Sequence, residues 1–142
     1  MFEVIFLNII LDELTAEEYL YMHKLVGFYL YPLEDIVSAL GKDIVNVKVF
    51  FDNQLIGIGR VVGDGRIVFF LKDIIVHPKY RNKGVGTIVV NTLLERIQSI
   101  CCDHSYVGLM STVGTEGFYE KFGFITRPNN LYGSGMVMYV EK

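Results

Sequence analysis

Apolar residues recur at helical spacing in the first forty positions and then give way to β-type runs. Thr15-Ala16-Glu17-Glu18 reads as a capping box, and Tyr19, Met22, His23 and Val26 follow on one face, which predicts a helix from about 16 to 26. Pro32 followed by Glu34 and Asp35 suits the first turn of a second helix, with Gly41 as its stop. Residues 1–42 thus read as a helical arm. From Ile44 the runs Val45–Phe51, Leu55–Val62 and Ile67–Val76 are rich in Val, Ile and Phe, and the breaks Asp52-Asn53 and Gly63-Asp64-Gly65 are too short for anything but antiparallel neighbours. Residues 44–76 are therefore expected to form a meander.

After Pro78 the period is helical again, with Val85, Ile88, Val89, Leu93, Ile97 and Ile100 forming one stripe between Gly84 and Ile100. A strand at about 106–110 follows. Strand, long helix and strand at this spacing make a crossover, which sets the two strands side by side and parallel. A short helix near 116–121, the run Phe122–Thr126 and a closing strand Met136–Val140 complete residues 77–142. The pattern predicts a single α/β domain over 1–142, one mixed sheet with helices on its faces.

Composition narrows the class. A chain of 142 residues, 51% hydrophobic and 13% aromatic, can bury a substantial core. Val4–Leu11 and Leu25–Leu33 fall well short of the roughly 20 apolar residues that span a bilayer, so no membrane partner is expected. The opening Met1-Phe2-Glu3 lacks a basic n-region, which points to the cytoplasm. Cys101 and Cys102 are adjacent and form no disulfide framework, so reduced thiols are expected. Net charge is −3 with Lys and Arg scattered, which argues against a nucleic-acid surface. No spaced Cys, His and carboxylate cluster suggests a metal, and no Gly-x-Ser-x-Gly elbow suggests an acyl-enzyme.

The densest chemistry lies in Asp73-Ile74-Ile75-Val76-His77-Pro78-Lys79-Tyr80-Arg81-Asn82-Lys83-Gly84-Val85-Gly86-Thr87. A strand stops at proline, and a glycine-spaced turn opens a helix. Glycines at 84 and 86 let a ligand reach the backbone, the unpaired N–H groups of a helix start attract an anion, and Arg81 and Lys83 add charge. The third glycine of a dinucleotide fingerprint is missing, as is a Walker lysine. Taken alone, the glycines fit a tight strand-to-helix turn equally well.

A strand ending in Val-x-Pro, then Arg-x-x-Gly-x-Gly opening a long helix, resembles the acetyl-coenzyme-A motif of the GNAT superfamily of N-acetyltransferases. About thirty residues on, Gly117-Phe118-Tyr119-Glu120-Lys121-Phe122-Gly123-Phe124 resembles that family's second signature. The resemblance runs from about Ile44 to Val140. It implies a GNAT-like fold with splayed central parallel strands and acetyl-coenzyme A as cosubstrate. Backbone groups of Ile74, Ile75 and Val76 would then hold the pantetheine arm and the acetyl group, and Arg81, Asn82, Lys83, Gly84, Val85, Gly86 and Thr87 the pyrophosphate. Pantetheine is a thread of two amides, which can pair with a strand edge as an extended peptide does. Many members carry an asparagine seven residues before the tyrosine, where this chain has Thr112.

Acetyl transfer to an amine requires a neutral nucleophile, donors for the oxyanion and a proton for the departing thiolate. The resemblance assigns the N–H near Val76 to the oxyanion and Tyr119 to the thiolate. A tyrosine, with a pKa of about 10 against about 8.5 for a thiol, keeps its proton at neutral pH. Packing of Tyr119 against Phe118 and Phe122 is the competing reading. Asp73 is the first candidate for a base and Glu116 the second, and Asp73 serves equally as a structural pair. His77 reads chiefly as a turn residue.

The acceptor side falls to the N-terminal arm, where Tyr19, Tyr21, Phe28, Tyr29 and Tyr31 crowd together. They would clasp an aryl amine or an ammonium, or else pack the helices onto the sheet. A small primary amine, aromatic amines included, is the preferred acceptor, with a protein or peptide amine as alternative. A non-catalytic acyl-coenzyme-A-binding module is a second class of function. Dimers are common in such a family, so a homodimer is compatible with the chain, and no interface is legible.

Overall fold

The computed structural model describes residues 7–142. The chain divides into two compact units, one reaching to Val107 and the other comprising Gly108–Lys142.

The first unit opens with β1 (Leu7–Leu11), which pairs antiparallel with the following strand from Leu7 opposite Phe51 to Leu11 opposite Val47. The arm expected to be helical therefore includes a strand, and its residues 1–6 lie outside the described residues. Its Leu-Asn-Ile-Ile-Leu run has no alternation, and what makes it a strand is the ladder it joins.

Helix α1 (Ala16–Val26) starts where the capping box places it. Glu18 N–H donates to Thr15 Oγ1 at 3.1 Å, and Thr15 N–H donates to Glu18 Oε1 at 2.9 Å. It stops at Gly27, whose φ of 75° is the left-handed cap that glycine adopts without strain. Helix α2 (Leu33–Ala39) follows Pro32. Strands β2 (Val45–Phe51), β3 (Gln54–Gly63) and β4 (Val68–Val76) form the expected antiparallel meander. In the first turn Asp52 and Asn53 both take left-handed φ, 49° and 62°, which suits the strand twist of a tight hairpin. In the second, Asp64 Oδ1 accepts from the N–H groups of Arg66, Ile67 and Val68. Helix α3 (Val85–Ile100) then crosses to β5 (Tyr106–Gly108), shorter than the strand expected over 106–110, giving one mixed sheet in the order β1-β2-β3-β4-β5.

The two faces of this sheet differ in chemistry. A Cβ on Gly57 would lie 2.8 Å from Val85 Cγ1, and one on Gly59 would lie 2.7 Å from Val89 Cγ1, so these glycines let α3 press directly on β3. Their ladder partners Val49 and Val47 share that face, and Val85, Val89, Val90, Leu93 and Ile97 of α3 are buried. The opposite face meets α1 and α2 through Leu14, Tyr19, Met22, Ile36, Ile58 and Ile75. That face also carries buried Asn46, Lys48 and Arg60.

In the second unit, α4 (Glu116–Glu120) is the one regular element among the described residues. The sequence reading placed further extended runs at Phe122–Thr126 and Met136–Val140, and neither forms a strand. Met136 is 88% exposed and Tyr139 83%. A strand takes its hydrogen bonds from a neighbour, and strand-like composition supplies none.

Candidate active site

The site begins at an irregularity in β4. Ile58 pairs with Ile75, but Arg60 pairs with Lys72, so β4 holds one residue more than β3 over this stretch. The extra residue is accommodated at Asp73, with φ of 56°. Such a bulge bends its strand and sets neighbouring side chains on the same face. Asp73 thereby joins Arg60 on the α1 side, while Ile74 turns to the α3 side, where its Cγ1 lies 3.4 Å from a Cβ position on Gly59.

Beyond the bulge the ladder resumes, and His77 N–H donates to the Ile56 carbonyl at 2.8 Å. Antiparallel pairs alternate between bonded and non-bonded, so the pair Gly57 and Val76 is of the non-bonded kind. This turns the peptide groups of Val76 away from β3. Strand β5 does not cover them. Tyr106 N–H donates to the Ile67 carbonyl at 2.7 Å, so this three-residue strand flanks the start of β4 and stops short of Ile74–Val76.

His77 then closes the strand. It is buried, its Nδ1 accepts from Lys79 N–H at 3.1 Å, and it caps one 3-10 turn, Pro78–Tyr80. Arg81, Asn82, Lys83 and Gly84 are exposed. Asn82 (φ 61°) and Gly84 (φ 88°) both take left-handed backbone, and Gly84 is the N-cap of α3 without any side-chain hydrogen bond. The first N–H groups of α3 thus have no side-chain cap. The turn is thus a helix start without a side-chain cap, behind an exposed loop that carries Arg81 and Lys83.

Asp73 itself is fully engaged. Its Oδ1 accepts from His23 Nε2 at 2.8 Å and from Tyr19 Oη at 3.2 Å, and its Oδ2 accepts from Arg60 Nη1 at 2.9 Å. Arg60 Nε donates onward to Asp43 Oδ2 at 3.0 Å. The Asp73 side chain is only 5% exposed. Burial alone would raise its pKa, but the His23 hydrogen bond and charge and the Arg60 hydrogen bond outweigh it and hold the carboxyl below its usual range. The same surroundings raise Tyr19, through burial first and then the Asp73 charge.

A match to the Acetyltransferase (GNAT) family model covers residues 9–124, most of the chain. The chain belongs to the GNAT acetyltransferase family. A structure of a meticillin-resistant Staphylococcus aureus protein, described as a probable acetyltransferase, superposes with a TM-score of 0.85 at 27% identity, covering 94% of this chain and 99% of that one. A GNAT family acetyltransferase from Streptococcus pneumoniae gives a TM-score of 0.78 at 24% identity, covering 96% and 99%, a likeness of fold. The uncharacterized N-acetyltransferase ycf52 of Pyropia yezoensis is 24% identical over 112 residues, 76% of this chain, which spans 63% of that relative's length. The helix and strand order of the chain is that of GNAT acetyltransferase structures.

The remaining candidates fall elsewhere in the GNAT chain. In the second unit, Tyr119 lies on α4 with its ring 5.0 Å from Phe118 and 6.0 Å from Phe124, both edge-on, and burial raises its pKa. Thr112 is exposed, and its carbonyl accepts from Thr115 Oγ1 at 2.7 Å. On the arm, Tyr21, Phe28, Tyr29 and Tyr31 are all exposed, Tyr29 most of all at 72%, whereas Tyr19 is buried. Sequence reasoning missed His23 and Arg60 as partners of Asp73. The signal available was a charged residue, Arg60, inside an otherwise apolar strand, and such a residue is seldom buried unless paired.

Proposed function

We propose that the chain is an acetyl-coenzyme-A-dependent N-acetyltransferase that passes an acetyl group directly from a thioester to a small primary amine. The observation that carries this reading is the continuous run from the bulge at Asp73 to the uncapped start of α3. Within it, Val76 turns its peptide groups away from β3 and Gly84 opens a helix whose first N–H groups have no side-chain cap. A thread of amides fits the first feature and a pyrophosphate fits the second. Ile74, Ile75 and Val76 would line the pantetheine, and Arg81 to Thr87 the phosphates, with Thr112 as a further contact.

The cosubstrate supplies an activated acyl carbon and a thiol leaving group. Val76 N–H is the donor assigned to the oxygen that gains charge as the amine attacks. Tyr119 is the proton donor assigned to the departing thiolate, and its raised pKa keeps the hydroxyl protonated at neutral pH. Asp73 is not carried forward as the base. A buried carboxylate that already accepts three hydrogen bonds, and whose pKa is lowered, is a poor proton acceptor near pH 7. Glu116 and solvent are the remaining routes for the ammonium proton.

For the acceptor, the exposed aromatic group Tyr21, Phe28, Tyr29 and Tyr31 favours a small amine, aromatic or cationic. Coenzyme A titrated into the chain by calorimetry should bind, and Tyr119→Phe should keep that binding while losing roughly 10²–10⁴-fold in kcat, the usual contribution of a general acid. Turnover of peptides alone in a screen of amines, polyamines and peptides would overturn the small-amine reading. Binding without turnover on any acceptor would favour an acyl-coenzyme-A-binding module.

A further inference from the structure

The charged group under the sheet has a role that neither the phosphate loop nor the thioester chemistry supplies. Asp73 is the residue on which β4 bulges, and a non-glycine residue at left-handed φ persists only when its surroundings hold it there. Three donors do so, from two directions. Arg60 reaches Asp73 from β3, directly across the irregular stretch of the ladder. His23 and Tyr19 reach it from α1, one turn apart, with their rings stacked at 3.8 Å and 19°.

His23 can serve no other partner. Its Nδ1 lies 2.7 Å from the Tyr19 carbonyl and its Nε2 lies 2.8 Å from Asp73 Oδ1, so both ring nitrogens are already taken. At 3% exposure it is closed to substrate. The cluster runs unbroken from Asp43 to Arg60 to Asp73 to His23, and no buried side-chain nitrogen or oxygen among the described residues is left without a partner.

We propose that Asp73 and His23 are positioning residues: they clamp the β4 bulge between Arg60 and α1, and so fix the strand edge at Ile74–Val76 that receives the cosubstrate's amide thread. The clamp also ties α1, on the acceptor side, to the cofactor strand, so that displacing the helix displaces the edge. The proposal rests on the reading of Ile74–Val76 as the pantetheine edge, and it deepens that reading by naming what sets the edge's geometry.

Two pairs of variants separate the clamp from simple folding. Asp73→Gly keeps the left-handed backbone but deletes the carboxylate, and Asp73→Asn keeps both the backbone tolerance and one acceptor. His23→Leu removes the donor to Asp73, and His23→Gln retains an amide N–H of similar reach. With coenzyme A as the probe in calorimetry, Asp73→Gly and His23→Leu should weaken binding about tenfold or more. The KM for acetyl-coenzyme A should rise in step while kcat changes only about threefold, and His23→Gln should recover most of the loss. Amide exchange on the ligand-free chains should show Ile75 and His77 exchanging faster in Asp73→Gly and His23→Leu.

Folded Asp73→Gly and His23→Leu proteins with parental coenzyme A affinity and parental exchange would overturn the clamp. If either fails to fold, Asp73→Asn, which loses the charge and one of the two acceptor oxygens, decides the matter by the same two measurements, parental values again counting against the clamp. A parent that binds no coenzyme A would remove the cofactor reading, and exchange at Ile75 and His77 would then judge the clamp alone, unchanged rates overturning it.

Discussion

The two faces of the central sheet are stabilised by different physics. Toward α3 the buried contact is apolar, with Val47, Val49 and two glycines against Val85, Val89 and Leu93, and its quality depends on shape. Toward α1 the sheet buries charge. Lys48 pairs with Glu18 at 2.9 Å, Arg60 bridges Asp43 and Asp73, and His23 completes the set. Apolar contact is non-directional, whereas a buried ion pair offsets its desolvation only at good geometry. The α3 face therefore supplies stability, and the α1 face fixes positions around the β4 bulge, where the proposed site lies.

The sharpest way to break this contrast is to remove the shared cation. Arg60→Met would leave Asp43 and Asp73 buried without their common partner, and breaking a buried pair from one side costs about 3–5 kcal/mol. Urea unfolding should show the loss of stability. A cost under about 1 kcal/mol would mean that the network is effectively solvated, and the two faces would then differ less than described.

On the other face the matching perturbation is steric. Gly59→Val places a branched side chain where a single Cβ already meets Val89 Cγ1 at 2.7 Å and Leu93 Cδ1 at 3.0 Å. Overpacking of this kind costs typically about 1–3 kcal/mol, and the strain should be relieved by truncating the clashing neighbour. Val89→Ala in the Gly59→Val background should recover part of the lost stability, whereas in the parent it should only destabilise. Purely additive effects would show that α3 does not pack on β3 as closely as the two glycines permit.

The apolar face was far more legible in the sequence than the charged one. The stripe Val85, Val89, Leu93 and Ile97 has helical period, and the meander strands announce themselves by β-branched runs, so helix α3 and strands β2 to β4 emerge within a residue or so of their bounds. Cap chemistry did the same for α1, since Thr15 and Glu18 are only three residues apart. The charged cluster joins residues 50 and 13 positions apart, His23 and Arg60 to Asp73, and no local pattern encodes that meeting. The bulge was hidden for the same reason, because an extra residue in β4 exists only relative to the register of β3. Asp73 could thus be singled out by its place beside the motif, but its role as a base was inferred without sight of the three donors that engage both its oxygens. Strand β1 and the unpaired run 136–140 make the complementary point, since whether an apolar segment becomes a strand depends on the edge offered to it.

The smallest difference between the faces is hidden at neutral pH and emerges in acid. The α3 contact has no titratable group among Val85, Val89, Leu93, Val47 and Val49, so it does not respond to pH. Asp73 has a folded-state pKa below its ordinary value of 3.8, so the folded chain holds the carboxylate more strongly than the unfolded chain does. Its contribution is therefore fully present above about pH 4 and is lost as the pH falls from there through the depressed folded value, because the unfolded state takes up the proton first. Glu18, also lowered on balance by Lys48 and the Thr15 backbone against the cost of burial, adds a parallel loss just below its ordinary 4.5. Urea midpoints measured from pH 6 down to pH 2 should be level at first and then fall. In Asp73→Asn the acid slope should be shallower than in the parent, while Val89→Ala, on the apolar face, should lower the whole curve without changing its shape. Equal acid slopes in the parent and Asp73→Asn would mean that the carboxylate gains nothing from its three donors, and the distinction between a face that stabilises and a face that positions would lose its electrostatic basis.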